Sequence, residues 1–181
     1  MKLEDCCAEV VGLVPVYTDT GDGCRIICCR ADGSVYSYCE SHSVEAVKRR
    51  LARCYALHLA DQARLLQRAY HRSPPLPFYF PDGRIFVPFK LRLAKIPGDG
   101  SYGYLEIKMI ERLLPEGKGQ CRIILLDGEV LPVFSQISTA RLALYFGMEI
   151  QKHHFQPQPD PDRDLLEAFQ VMRHYFISGG A

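Results

Sequence analysis

The sequence predicts an α+β fold, rich in strand, in which β-hairpin-plus-helix (ββα) units pack on antiparallel sheets and an amphipathic helix closes the chain. Three observations carry that expectation. Asp-Gly dipeptides at Asp32-Gly33, Asp82-Gly83 and Asp127-Gly128 each separate two apolar runs, the strongest short-range signal for a hairpin. The runs beside them alternate apolar and polar residues, the period of a half-buried strand. After the first and third of them come stretches whose apolar residues recur every three or four positions, the period of a helix.

The first hairpin is expected to pair residues 24–30 with 34–39, the second 78–80 with 84–93, and the third 120–126 with 129–134. Type I′ turns are expected at the Asp-Gly steps, since these need positive φ, which Asn, Asp and Gly tolerate. In the second hairpin Ile85, Val87, Phe89, Leu91 and Leu93 alternate with Phe86, Pro88, Lys90 and Arg92. Pro88 has no N–H to give to a ladder, so it marks an edge or a bulge. Pro97-Gly98-Asp99-Gly100 then turns the chain into a strand over 102–110, where Leu105, Ile107 and Met109 alternate with Tyr104, Glu106 and Lys108.

Ser43 is placed to cap a helix, with Glu45 in the first turn where the helix dipole favours a carboxylate. Val44, Val47, Leu51, Tyr55, Leu59, Ala63 and Leu66 predict one long amphipathic stripe, with residues 65–70 open to a strand reading before Ser73-Pro74-Pro75. Ser138 is expected to cap the helix after the third hairpin, Ile137 and Leu142 forming a hydrophobic staple. His153-His154 ends it, where cations suit the dipole. Asp160-Pro161 announces a last helix over 161–176, with Leu165, Phe169, Met172 and Phe176 on its apolar face and Gly179-Gly180 past its end.

The chain also repeats itself. Cys24-Arg25-Ile26-Ile27 recurs as Cys121-Arg122-Ile123-Ile124, each followed by Asp-Gly, a valine two residues after the glycine (Val35, Val130) and a serine-capped helix. The second copy is two residues shorter before its turn. A duplicated ββα unit and a chance identity of four residues both stay open at this level. The organisation expected is a single α+β domain over residues 1–156. If the duplication is genuine, the domain holds two ββα-containing halves (about 20–72 and 118–155) joined by a hairpin at 78–110. A proline-rich tether and helix follow over 157–181.

With 181 residues, 48% of them hydrophobic, the chain has enough apolar material for a packed core. No apolar run approaches the roughly 18 residues that cross a bilayer. The start, Met1-Lys2-Leu3-Glu4-Asp5, carries no secretory core. A cytoplasmic protein with no membrane partner is expected. The eight cysteines, at 6, 7, 24, 28, 29, 39, 54 and 121, then read as reduced, small apolar side chains. A zinc set from Cys28, Cys29, Cys39 and His42 is the sharper alternative. It lacks the Cys-x-x-Cys pair usual in structural zinc sites, and Cys24, Ile26 and Cys28 fit one face of a strand. No metal and no other cofactor is expected.

Nucleophile elbows, phosphate loops and metal-ligand motifs do not occur in the sequence. Gly98-Asp99-Gly100 and Gly117-Lys118-Gly119 do not sit between a strand and a helix start, as a phosphate loop does. Cys54 has no local nucleophile signature. The chain reads as a non-enzyme.

Charge is unevenly placed. Residues 45–72 hold Lys48, Arg49, Arg50, Arg53, Arg64, Arg68 and Arg72 against Glu45 and Asp61. Seven bases against two acids make +5, so the rest of a chain of net charge +1 carries −4. On a helix Arg49 and Arg53 project from one side, and Arg64, Arg68 and Arg72 continue the spacing, a footprint suited to a phosphate backbone. Lys90, Arg92 and Lys108, on the polar faces of adjacent expected strands, form a second basic surface. A solvated helix face in a protein-interaction or sensory module is the competing reading.

The ordered series of motifs resembles the competence transcription factor (ComK) family. It comprises the hairpin and helix, then His71-Arg72-Ser73-Pro74-Pro75, then Phe80-Pro81-Asp82-Gly83-Arg84-Ile85-Phe86-Val87-Pro88. Asp127-Gly128-Glu129-Val130-Leu131-Pro132-Val133 with a helix bearing Arg141, and Pro159 with Asp162-Arg163 before the final helix, extend it over roughly residues 20–176. The resemblance implies sequence-specific binding to A/T-rich duplex DNA, transcriptional activation, self-association, and proteolytic control through a protein adaptor.

Overall fold

In the computed structural model, which describes residues 2–155, the three Asp-Gly steps each make a hairpin turn of one kind. Gly33 N–H donates to Arg30 O and Arg30 N–H to Ser34 O, while Asp32 Oδ1 accepts from Ser34 N–H. The same three bonds recur over residues 80–84 and 125–129. Only the glycines have positive φ, 84° at Gly33 and 86° at Gly83 and Gly128. These are type I turns closed by a left-handed glycine, three-residue loops with a bulge, and not the expected type I′ turns. Each aspartate, accepting the N–H two residues on, is held in an Asx turn and out of the positive-φ region.

A single helical turn, α1 (Leu3–Cys6), leads to strands β1 (Val10–Thr18), β2 (Gly21–Cys29) and β3 (Val35–Glu40), then helices α2 (Val44–Cys54) and α3 (Leu59–Tyr70). Strands β4 (Phe78–Tyr79), β5 (Ile85–Lys90) and β6 (Tyr102–Glu106) follow. One 3-10 turn (Ile107–Met109) passes the chain to β7 (Ile110–Pro115), β8 (Cys121–Leu125), β9 (Val130–Val133) and the long helix α4 (Ile137–Phe155). Six strands form a sheet in the order β3-β2-β1-β6-β5-β4, and three form a second, β7-β8-β9. All neighbours are antiparallel. The expected class, α+β with helices after the first and third hairpins, is the fold observed. The expected helix over 161–176 lies outside the described residues.

Three expected elements differ. The strand over 102–110 stops at Glu106, where the 3-10 turn moves the chain from one sheet to the other. The stripe from Val44 to Leu66 belongs to two helices: α2 closes at Tyr55, and Ala56 turns left-handed at φ 50°. Residues 65–70 are helical, not strand. Pro88 stands where a ladder has no further claim on it, since β4 pairs only with Ile85 and Phe86. On its outer edge β4 is held by a side chain: Gln62 Nε2 donates to Tyr79 O at 2.9 Å and its Oε1 accepts from Tyr79 N–H at 3.1 Å. Gln62 takes the place of a further strand at the sheet edge.

The repeated unit is larger than its four identical residues. β1-β2-β3-α2 and β7-β8-β9-α4 share order and register. Each first strand is irregular after its first residue, between Val10 and Gly12 and between Ile110 and Arg112. Pro15 faces Cys24 and Pro115 faces Cys121; Leu13 faces Ile26 and Leu113 faces Ile123. On the third strands Glu40 faces Cys24 and Val133 faces Cys121. The helices begin at Val44 and Ile137, with Val47 N–H donating to Ser43 O and Ala140 N–H to Gln136 O. Ser43 Oγ accepts from Ala46 N–H, the expected cap. In the second unit the corresponding position is Gln136. Ser138 lies inside the first turn and Leu142 faces solvent, so the expected cap and staple do not form there.

The six-stranded sheet is buried on both faces. One face gives Leu13, Ile26, Phe78, Phe80, Phe86 and Tyr104 to a core closed by Leu3 of α1 and by Val44, Val47 and Leu51 of α2. The other gives Val11, Val14, Ile27, Val87, Phe89 and Leu105 to a core closed by Ile123, Leu125, Leu131 and Val133 of the small sheet and by Ala140, Phe146 and Ile150 of α4. Such double burial removes the clean alternation expected for 85–93: Phe86 and Pro88 are as buried as Ile85 and Val87, while Leu93 is exposed. No helix among the described residues is long and apolar enough to cross a membrane.

Candidate nucleic-acid interface

Helix α2 buries Val44, Val47 and Leu51 and so turns Arg49 and Arg53 outward, both exposed. Four residues, 55–58, join it to α3. Tyr55 N–H donates to Ala52 O, Ala56 N–H to Arg53 O and Leu57 N–H to Ala52 O, which closes the end of α2 before α3 begins at Leu59. α3 buries Gln62 and Leu66 and leaves Arg64 and Arg68 exposed.

Where the helices meet, an open cleft of about 640 Å³ is lined by Arg49, Arg50 and Arg53 of α2 with His42 and His58 at its ends. Ala46, Ala52, Leu57 and Leu59 make its floor. No carboxylate lines it. Carboxylates lie close by, Glu40 at 3.7 Å from His42 Nδ1 and Asp61 at 2.8 Å from His58 Nδ1.

The other expected contacts are buried, paired with acids or turned elsewhere. Lys48 turns inward: its Nζ donates to Glu45 at 2.6 Å and to Tyr104 Oη at 2.9 Å and lies 4.3 Å from the Tyr104 ring centre. Burial lowers its pKa. Arg50 reaches the cleft but is paired with Glu40 at 2.5 Å and Glu4 at 3.3 Å. Arg64 is paired with Asp61 at 3.0 Å. Arg72, past the left-handed residue His71 that ends α3, lies 4.9 Å over the Phe146 ring.

The second basic surface does not exist as one face. Arg92 is buried, donating to Val16 O at 2.7 Å and Asp22 at 2.5 Å and stacked 4.2 Å over Tyr17. Lys90 and Lys108 stand at opposite ends of the β5–β6 pair, because Lys90 faces Tyr102 while Glu106, two residues before Lys108, faces Phe86. Of ten expected contacts, the cleft gathers Arg49, Arg50 and Arg53, and Arg64 and Arg68 follow on the exposed side of α3. His42 and His58 join them from outside the expected set. Nothing in their spacing marked them, since they come together only through the turn at Ala56.

A second cleft, of about 450 Å³, lies between Lys48, Glu45 and Tyr104 and the 74–78 segment. Its three polar groups satisfy one another. Cys28 is buried on β2 and its neighbour Cys29 points to the opposite face. Among the described residues no three histidine, cysteine or acidic side chains are placed to hold a metal ion. Comparison with protein-family models, with curated proteins and with solved structures finds no match.

Proposed function

We propose that the protein is a DNA-binding transcriptional regulator that grips the phosphate backbone through the α2–α3 pair. The observation that carries this reading is the cleft lined by Arg49, Arg50 and Arg53 with His42 and His58, where Arg49 and Arg53 are exposed and, among the described residues, in no ion pair. Two short helices across a tight turn are a common way to present side chains to duplex DNA, the first crossing the backbone and the second entering a groove. In that arrangement Arg49 and Arg53 contact phosphates, while Arg64 and Arg68 reach from α3. The motif series resembling competence transcription factors points the same way and adds a preference for A/T-rich sites.

The apolar floor of the cleft favours a second reading, an acidic partner protein whose carboxylates meet the arginines. A salt titration of fluorescence anisotropy, with A/T-rich and G/C-rich duplexes, separates the two. Wild type should bind with a log K that falls with log salt. Arg49→Ala together with Arg53→Ala should flatten the slope by roughly one per lost contact and leave the preference between duplexes intact, because phosphates position and bases specify. An unchanged slope moves DNA contact off α2. No salt-sensitive binding by folded wild type to any duplex leaves the acidic-partner reading.

A further inference from the structure

Among the eight cysteines, two far apart in sequence meet where solvent reaches them. Cys6, Cys24, Cys28 and Cys121 are buried and closed to reagents while the fold holds. Cys29 packs toward the α4 side, and Cys39 stands on the edge strand β3 opposite Arg25. Cys54 is exposed and Cys7 half-buried, both reduced, and their thiols are hydrogen-bonding neighbours.

Contacts on two sides hold the pair together. Cys7 follows the single turn α1, and Arg84 Nη1 donates to its carbonyl at 3.1 Å while Nη2 donates to Tyr55 Oη. One guanidinium thus ties residue 7 to the residue after Cys54. Cys54 itself ends α2, its Sγ donating to Arg50 O at 3.5 Å. Arg50 reaches back to Glu4 of α1 at 3.3 Å. The Cys7 thiol is also a hydrogen-bonding neighbour of the Tyr55 phenol, so it lies against the end of α2.

Two adjoining thiols, one of them open to solvent, are what thiol–disulfide exchange requires. We propose that Cys7 and Cys54 are a redox site that takes a low-molecular-weight disulfide as its oxidant and closes to a reversible disulfide within the chain. One protein thiolate attacks a sulfur of the reagent, whose other half leaves as a thiolate. The second protein thiolate then displaces the half that was bound. The two cysteines give up two electrons and two protons, and the reagent gains them as two free thiols. Since α1 is a single turn, closing the bond shifts that turn and leaves the sheet in place. The bond ties the chain ahead of β1 to the last turn of α2, beside Arg53.

The test incubates the full-length folded protein with oxidised glutathione, blocks free thiols with N-ethylmaleimide and digests without reductant. Mass spectrometry should find a peptide joining Cys7 to Cys54, and dithiothreitol should remove it. Cys54→Ser, at an exposed position, should abolish the link and leave glutathione on Cys7 as a mixed disulfide. Cys7→Ser should abolish it from the other side, with circular dichroism confirming that both variants fold. Glutathione retained on both cysteines of the wild type, no reaction at either, or a link from either to a different cysteine overturns the proposal. So does a link that forms only after urea has unfolded the chain, or one that joins two chains on a non-reducing gel. The readout contains no DNA, so its failure leaves the nucleic-acid reading standing.

Discussion

The guanidinium of Arg92 lies against the ring of Tyr17 and donates to Val16 O, Gly100 O and Asp22, with its Nε buried and unpartnered. Arg92→Ala leaves half-buried Asp22 and two carbonyls without their donor and should lower stability by about 2 kcal/mol. Arg49→Ala, on an exposed position, should move it by about 0.5 kcal/mol or less. Urea denaturation of both variants checks this, and an Arg92→Ala protein as stable as wild type would remove Arg92 from the scaffold. Alternation placed Arg92 on a polar strand face, but alternation records only which side a residue takes, and here both sides are covered. Lys48 misleads in the same way, since its partner Tyr104 is distant in sequence. Glu106, 6% exposed, is the acidic counterpart: burial holds its carboxyl above the ordinary range, against the pull of Arg84 and Lys108. The folded state therefore binds this proton more tightly than the unfolded one. Stability falls as pH rises from the ordinary glutamate value through the raised folded one, and the cost is complete above it. Glu106→Gln should raise the melting temperature at neutral pH and flatten that stretch of the pH profile. A lower melting temperature at neutral pH would mean that Arg84 depends on the charge.

At the scale of elements, α4 meets the sheet at Gly147. A Cβ there would stand 2.5 Å from Val87 Cγ1 and 2.8 Å from Ile107 Cγ2. On a free helix surface Gly→Ala stabilises by about 1 kcal/mol. At Gly147 the methyl has to push the helix off β5, so Gly147→Ala should destabilise by about 1–3 kcal/mol, read as a lowered urea midpoint. A raised midpoint would show that α4 rides looser than this contact implies. The three hairpins were legible because Asp-Gly binds its turn through local chemistry alone, and even the choice of a three-residue loop rests on neighbouring bonds. The break between α2 and α3 was not legible. Leu51, Tyr55, Leu59 and Ala63 keep a four-residue spacing straight through it, and the left-handed residue is Ala56, not a glycine that would have announced it. The candidate cleft exists only because of that break, so charge spacing found its arginines but not their meeting.

For the molecule as a whole, the repeat raises the question of whether two units make two domains. Strands β1, β5 and β6 each serve both cores: Leu13, Phe86 and Tyr104 on one face, Val14, Val87 and Leu105 on the other. The two cores are thus the two sides of one sheet, and neither side survives loss of the strands it shares. The cysteines report on both. Cys24 and Cys28 are fully buried on the α2 side, where burial pushes each thiol up to about 12; Cys121 is fully buried on the α4 side, its thiol also raised by burial. Inaccessible and protonated, all three should resist alkylation while folded. Exposed Cys39 and Cys54 should label at once. Pulse labelling with iodoacetamide across a urea series, read cysteine by cysteine in a mass spectrometer, should give Cys24, Cys28 and Cys121 one common midpoint. If Cys121 labels at lower urea than Cys24 and Cys28, the β7-β8-β9-α4 unit opens by itself, and the duplicated halves are separate folding bodies that share an edge but not their stability.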